Sequence, residues 1–280
     1  MVVRRPAVAG TFYPSDPADL STMIERSYVH PLGPGKAPPS KETNAKVALI
    51  VVPHAGYEYS GPVAAHGYLH ASSIAKPELI VIVGPNHYGI GSGVSTFGEG
   101  YWETPLGRLR VDLDASSKLV KEAGMVSIDP RAHELEHSIE VQLPFLQKIF
   151  GDAIPILPIS LIFQDPVTTR ELGEALGDLL KGRSVIMAAS SDLTHYESYD
   201  SATRKDSALL EKIIQLDFDG LYSTLETEEV TACGFGAVAT VITAARALNM
   251  NRGELLKYAN SGDTTGDKSR VVGYGAARFT

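Results

Sequence analysis

Short apolar runs alternate with longer stretches in which apolar residues recur every three or four positions, and this alternation runs through most of the chain. Residues 46–52, 79–83, 154–161 and 184–189 are runs of strand length, and two further strands are expected near 254–259 and 271–279. The central runs are apolar on both faces, as strands buried in a parallel sheet are. Helical spacing marks Leu20, Met23 and Ile24 after the start signal Ser15-Asp16-Pro17, and again Leu209, Leu210, Ile213 and Ile214 within 201–216. Helices are also predicted at 61–73, where Pro62 suits a first turn, and at 113–123 and 165–181. Glu134 to Phe150 carries Ile139, Leu143, Leu146, Ile149 and Phe150 at helical spacing, with Pro144 either kinking the helix or marking its start. Cys233-Gly234-Phe235-Gly236 leads into a helix of small residues within 228–249.

The connections are legible from their turn residues. Residues 1–14 read as an extended arm, and the proline- and glycine-rich 31–45 as a surface loop. Glycines 89, 91, 93, 98 and 100 permit tight turns, and 100–112, centred on Thr104-Pro105-Leu106-Gly107, reads as a hairpin. A polar loop, 260–267, separates the last two strands. With no internal repeat, strands alternating with helices imply an α/β fold: a single domain over 1–280 with a mostly parallel or mixed central sheet flanked by helices.

Composition narrows the function more than the fold. A formal charge of −8 argues against a nucleic-acid backbone or an anionic membrane as the main partner, because both select clustered Lys and Arg. Met1 to Gly10, which holds Arg4-Arg5, is followed by Thr11-Phe12-Tyr13-Pro14-Ser15-Asp16 instead of an apolar signal region, and no run approaches the length of a membrane span, so a cytoplasmic protein is expected. One cysteine, Cys233, rules out an intrachain disulfide and leaves burial, metal ligation or nucleophilic chemistry for that thiol.

Three strand ends carry histidines: Pro53-His54, Pro85-Asn86-His87 and Asp192-Leu193-Thr194-His195. Ligands of open α/β sheets collect beyond the carboxyl ends of the strands, so these loops are expected to converge on one site. A bland reading stands beside each: a histidine can cap a strand, Asp192 can cap the next turn, and His137 can be helix surface. His66 and His70, four apart on one helix, have metal-ligand spacing but sit in an alanine-rich segment that favours packing. Cys233 precedes a helix start, where backbone amides and the helix dipole favour thiolate.

Five ordered segments extend this reading: Pro53-His54-Ala55-Gly56-Tyr57, Gly84-Pro85-Asn86-His87, Glu136-His137-Ser138-Ile139-Glu140-Val141-Gln142-Leu143-Pro144, Ser190-Ser191-Asp192-Leu193-Thr194-His195-Tyr196 and Ala232-Cys233-Gly234. With Arg5-Pro6-Ala7-Val8-Ala9-Gly10-Thr11-Phe12-Tyr13-Pro14 they resemble the Memo family over nearly the whole chain. The resemblance implies a fold shared with class III extradiol dioxygenases of the LigB type, which are non-haem iron enzymes. It implies His54, His87 and Cys233 as metal ligands, Asp192 and His195 as a pair beside the metal, and His137 as a further residue of the pocket.

The thiolate stands where those dioxygenases use a carboxylate, which shifts the preference toward softer ions. Iron or copper is the expected cofactor, with zinc a further candidate. His195 would be the general base, oriented by Asp192. The expected activity is a metal-dependent, dioxygenase-like oxidoreductase acting on a small molecule. The alternatives are a metal-dependent hydrolase or a non-catalytic protein binding a metal or a peptide in the inherited pocket.

Overall fold

Four strands, buried almost from end to end, run parallel at the centre of the molecule and set its two cores. The computed structural model describes residues 2–39 and 46–280. Its elements, in chain order, are β1 (Val3–Arg4), α1 (Pro17–Val29), β2 (Val47–Val52), α2 (Tyr57–Ala71), β3 (Leu79–Pro85), β4 (Val94–Thr96), β5 (Tyr101–Thr104), β6 (Gly107–Arg110) and α3 (Leu113–Glu122). There follow β7 (Val126–Ile128), α4 (Leu143–Phe150), β8 (Ile156–Leu161), α5 (Pro166–Leu180), β9 (Val185–Ser190), β10 (His195–Glu197) and α6 (Tyr199–Ile214). The chain ends with α7 (Phe218–Thr227), α8 (Phe235–Ala247), β11 (Gly253–Asn260), α9 (Ser261–Thr265) and β12 (Val271–Phe279).

The central strands lie side by side in the order β2-β9-β3-β8, all parallel. Beyond β2 the sheet continues antiparallel through β12, which also pairs with β10 and β11. Beyond β8 it continues through antiparallel β4 to β7. The fold is α/β with a mixed sheet, as the chain predicts. Alternation along β2 shows how both faces are covered. Leu49 and Val51 pack with α5, α6 and α8 residues such as Leu176, Leu209 and Val241, whereas Ala48, Ile50 and Val52 pack with Leu20, Ile24 and Tyr68 of α1 and α2. The predicted hairpin forms as β5 and β6, with β1 from the arm added as a third strand.

Several boundaries differ from the expectation. α2 begins at Tyr57, not 61, because Gly56 starts the helix: its carbonyl accepts the amides of Tyr59 and Ser60. Pro62 therefore lies inside the helix. Residues 134–142 are not helical but for a 3-10 turn at Glu140–Gln142, so Pro144 marks the helix start. The cause is local competition: the Glu136 carboxylate accepts the Ser138 amide at 2.8 Å, a bond the backbone ladder would need. The strands β4, β7 and β10, at three residues each, are too short for periodicity to reveal, and α9 occupies a segment expected to be loop. α7 also lies outside the elements predicted from the sequence. Of the surface loop 31–45, residues 40–45 lie outside the described residues. Among the described residues, no helix is long and apolar enough to cross a membrane.

Because β2, β3 and β9 are parallel, their last residues, Val52, Pro85 and Ser190, lie at one edge of the sheet. The loops that leave them carry His54, His87 and Asp192.

Candidate metal centre

His54 lies two residues past the end of β2, after Pro53, and is 2 % exposed. Its backbone amide donates to Asp192 Oδ1 at 2.8 Å, and its Nδ1 lies 2.9 Å from Ser190 Oγ. The Ser190 hydroxyl has one proton, which it donates to the Ser138 carbonyl at 2.7 Å. It accepts from Gln142 Nε2 at 2.8 Å. The Gln142 amide is itself oriented, donating to Pro53 O at 2.9 Å and accepting from Tyr68 OH at 2.6 Å. Ser190 thus faces His54 as an acceptor, and this hydrogen-bond pattern assigns the His54 proton to Nδ1. The Nε2 lone pair is left 3.1 Å from Cys233 Sγ. Burial, with His137 and His87 nearby, holds the His54 pKa well below its ordinary value, so the ring is neutral.

His87 is oriented by another route. Its amide donates to Glu136 Oε2 at 2.6 Å and its Nδ1 lies 2.9 Å from Glu136 Oε1. Burial alone would raise the pKa of Glu136, but hydrogen bonds from His87 and the Ser138 amide bring it down to about 2. A charged carboxylate accepts, so His87 carries its proton on Nδ1 and keeps the Nε2 lone pair. His137 stacks on His87 with ring centroids 4.7 Å apart, and burial lowers its pKa to about 4.

Cys233 precedes the first turn of α8, as predicted, yet the helix start does not favour thiolate here. Burial, and then the Asp192 carboxylate, push the thiol up, outweighing the Asp192 amide that donates to Sγ at 3.3 Å. One backbone dipole cannot replace lost hydration. A cation beside the sulfur would reverse the balance, since a coordinated thiol deprotonates.

Asp192 and His195 share no direct hydrogen bond. Asp192 seats the His54 loop, and burial raises its pKa to about 6 against the His54 amide, the nearby His195 charge and the Ala55 amide. His195 is oriented by Thr231, whose hydroxyl accepts its amide at 2.8 Å and whose carbonyl lies 3.0 Å from its Nδ1. The Nδ1 proton therefore goes to Thr231, and Nε2 is available to take another.

The six residues that the resemblance implies, His54, His87, His137, Asp192, His195 and Cys233, line one cleft of about 500 Å³, with Phe12 and Tyr196 on its wall and rim. Tyr196 has a φ of 60° and is 65 % exposed, a non-glycine residue in the left-handed region beside the site. The other histidines lie elsewhere. His133 is fully buried between Phe97 and Trp102. His66 and His70 line a separate depression with Arg278. Ser190, Gln142, Glu136 and Thr231 were not predicted. Glu136, Gln142 and Ser190 stand inside the diagnostic segments, and of these only Glu136 adjoins a histidine.

One ligand atom each from His54, His87 and Cys233 lie within 4.8 Å of one another. Around a tetrahedral ion, nitrogen and sulfur donors sit about 3.5 Å apart, so the trio fits one metal with little movement. His87, Glu136 and His137 also meet this spacing, but the Glu136 oxygens are already engaged by His87 and Ser138.

A family profile described as Memo-like protein matches residues 4–278. The chain belongs to the Memo family. It is 46 % identical over 278 residues to a MEMO1 family protein of Methanopyrus kandleri, covering 99 % of this chain and 98 % of the relative. A MEMO1 family protein of Ignicoccus hospitalis is 47 % identical over 282 residues, covering 100 % and 99 %. The fold is also similar to an uncharacterized protein of Escherichia coli K12, with a TM-score of 0.57 at 15 % identity over 83 % of this chain and 99 % of that one. At that identity the likeness concerns the fold of this Memo-family chain alone.

Proposed function

We propose that this Memo-family chain holds one transition-metal ion on His54, His87 and Cys233 and acts as a metal-dependent oxidoreductase on a small molecule. The observation that carries the metal reading is the tautomer pattern. Both imidazoles have Nδ1 engaged by a fixed acceptor, which leaves Nε2 as the donor nitrogen, and both belong to a cluster with the one thiol of the chain. Histidine ligands of metals are oriented by such outer hydrogen bonds. Two imidazoles and a thiolate suit copper, iron or zinc, and three protein ligands leave a position open to substrate. A bound redox-active ion would supply electron transfer to or from that substrate.

The chain's own groups supply the rest. His195 Nε2 would take a substrate proton, its ring held by Thr231. Asp192, with a pKa near 6, would share the proton load within the cleft. His137 and Phe12, their rings 4.7 Å apart and tilted by 59°, would wall the substrate on one side.

Metal analysis of the purified chain and of His54→Ala tests the metal. Stoichiometric metal in the first and loss in the second are expected; equal content would remove the assignment. Oxygen uptake by the iron-loaded, anaerobically prepared chain with catechol-type compounds tests the dioxygenase version. Turnover of esters or amides by the zinc-loaded chain, with no oxygen uptake, would replace oxidation by hydrolysis.

A further inference from the structure

We infer that Phe12, carried by the N-terminal arm, is the size-selecting wall of the metal cleft, restricting it to small molecules that end at the Phe12 ring. This rests on the reading of that cleft as the binding site. Three depressions adjoin along this face. The metal cleft of about 500 Å³ shares Phe12 and Gly56 with a depression of about 230 Å³, which in turn shares Pro14, Met23 and Glu58 with a groove of about 410 Å³ against α1 and α2. Gly56 has no side chain, so the bulk that separates the first two comes from Phe12. Its ring lies 4.7 Å from that of His137, on the cleft side.

The wall is fixed by its backbone and by a buried anchor. Phe12 N donates to Val8 O at 2.9 Å, and Phe12 O accepts from Tyr57 N at 2.8 Å. Glu140, fully buried, accepts the Arg4 guanidinium, the amides of Ala7 at 2.8 Å and Val8 at 3.1 Å, and the Tyr13 hydroxyl at 2.5 Å. Arg4 also donates to Glu136 O at 2.6 Å, beside the residues that orient His87. The arm is thus seated on the segment that builds the site, and a long ligand cannot simply push it aside. A longer molecule would have to pass where the ring stands to reach the neighbouring depression.

The single cysteine of the chain makes the wall testable without a known substrate. The full chain, freed of metal with a chelator, is treated with methyl methanethiosulfonate or its 4-phenylbutyl analogue, and labelling is followed by intact mass. In each case the Cys233 thiolate attacks the reagent's divalent sulfur, a mixed disulfide forms, methanesulfinate leaves and the thiol proton passes to solvent. The ratio of long-reagent to short-reagent rates is expected to rise about tenfold in Phe12→Ala, and less in Phe12→Leu, which keeps more of the core-facing volume. In Phe12→Trp it is expected to fall. An unchanged ratio across the series, or an equal rise of both rates, would overturn the proposal. Protection of wild-type Cys233 from the methyl reagent by added zinc is read separately: no protection would remove the metal reading while the rate ratio still decides the wall.

Discussion

His54 and His87 offer the same nitrogen to the same site, and they are prepared for it in opposite ways. His54 is buried, and its proton is fixed by a neutral hydroxyl whose own hydrogen is committed elsewhere. The His87 side chain is 31 % exposed, and its proton is fixed by a buried, charged carboxylate. The difference teaches that a tautomer can be set either by excluding water or by placing a charge. The first makes the ligand part of the core; the second makes it part of an ion pair whenever the ring is protonated.

The largest effect should separate the two ligands by stability. His54→Ala and His87→Ala should each weaken zinc binding, measured by calorimetry, by more than the about 100-fold that outer partners of a metal command. Only His54→Ala should also destabilise the metal-free chain, by about 2–3 kcal/mol in urea unfolding, because it leaves a cavity and strips Ser190 of a partner. Equal stability losses would erase the contrast between core and surface ligands.

Next come the groups behind the ligands. Glu136→Gln and Ser190→Ala are each expected to weaken zinc binding by about 10–100-fold, with Glu136→Gln the larger because it removes charge as well as geometry. The reverse order would mean that charge contributes little to orienting His87.

A smaller effect distinguishes the sites by pH. His137 has a folded pKa of about 4 against an ordinary 6.5, so between these values the unfolded chain takes up a proton that the folded chain refuses. Its contribution to stability is intact above 6.5 and is lost as pH falls toward 4. His54, also held neutral, acts in the same direction. Asp192, raised to about 6 from 3.8, acts oppositely: the folded chain takes the extra proton between those values and gains stability as pH falls through them. Urea midpoints of the metal-free chain between pH 7 and 4 should fall less steeply in His137→Gln, by at most about 1.4 kcal/mol per pH unit. An unaltered slope would show that folding leaves the His137 pKa near its ordinary value.

The sheet and its rim were legible because they depend on patterns that tolerate no substitution of kind. A strand buried on both faces must be apolar throughout, and a histidine placed straight after it must lie at the carboxyl edge. Cys233 was legible as a residue but not in its ionisation, since a helix start is local while the burial that opposes it comes from distant segments. The partner that orients His195 is hidden for a related reason. Sequence proximity suggests Asp192, but β10 turns His195 toward Thr231, 36 positions away. Ser190 and Glu136 had no signal of their own, because a hydroxyl's direction depends on which carbonyl stands in front of it.

Gly234 gives the centre its tolerance. A side chain there would overlap the Ser190 carbonyl and crowd Ser191, so the start of α8 can close on the end of β9 only because the residue after the cysteine has none. Ser190 is also the group that orients His54. One backbone crossing therefore gauges both the reach of the sulfur and the seat of the imidazole, and an added methyl group would move the two donors apart together. The bore of the ion site is set by that clearance before any metal arrives.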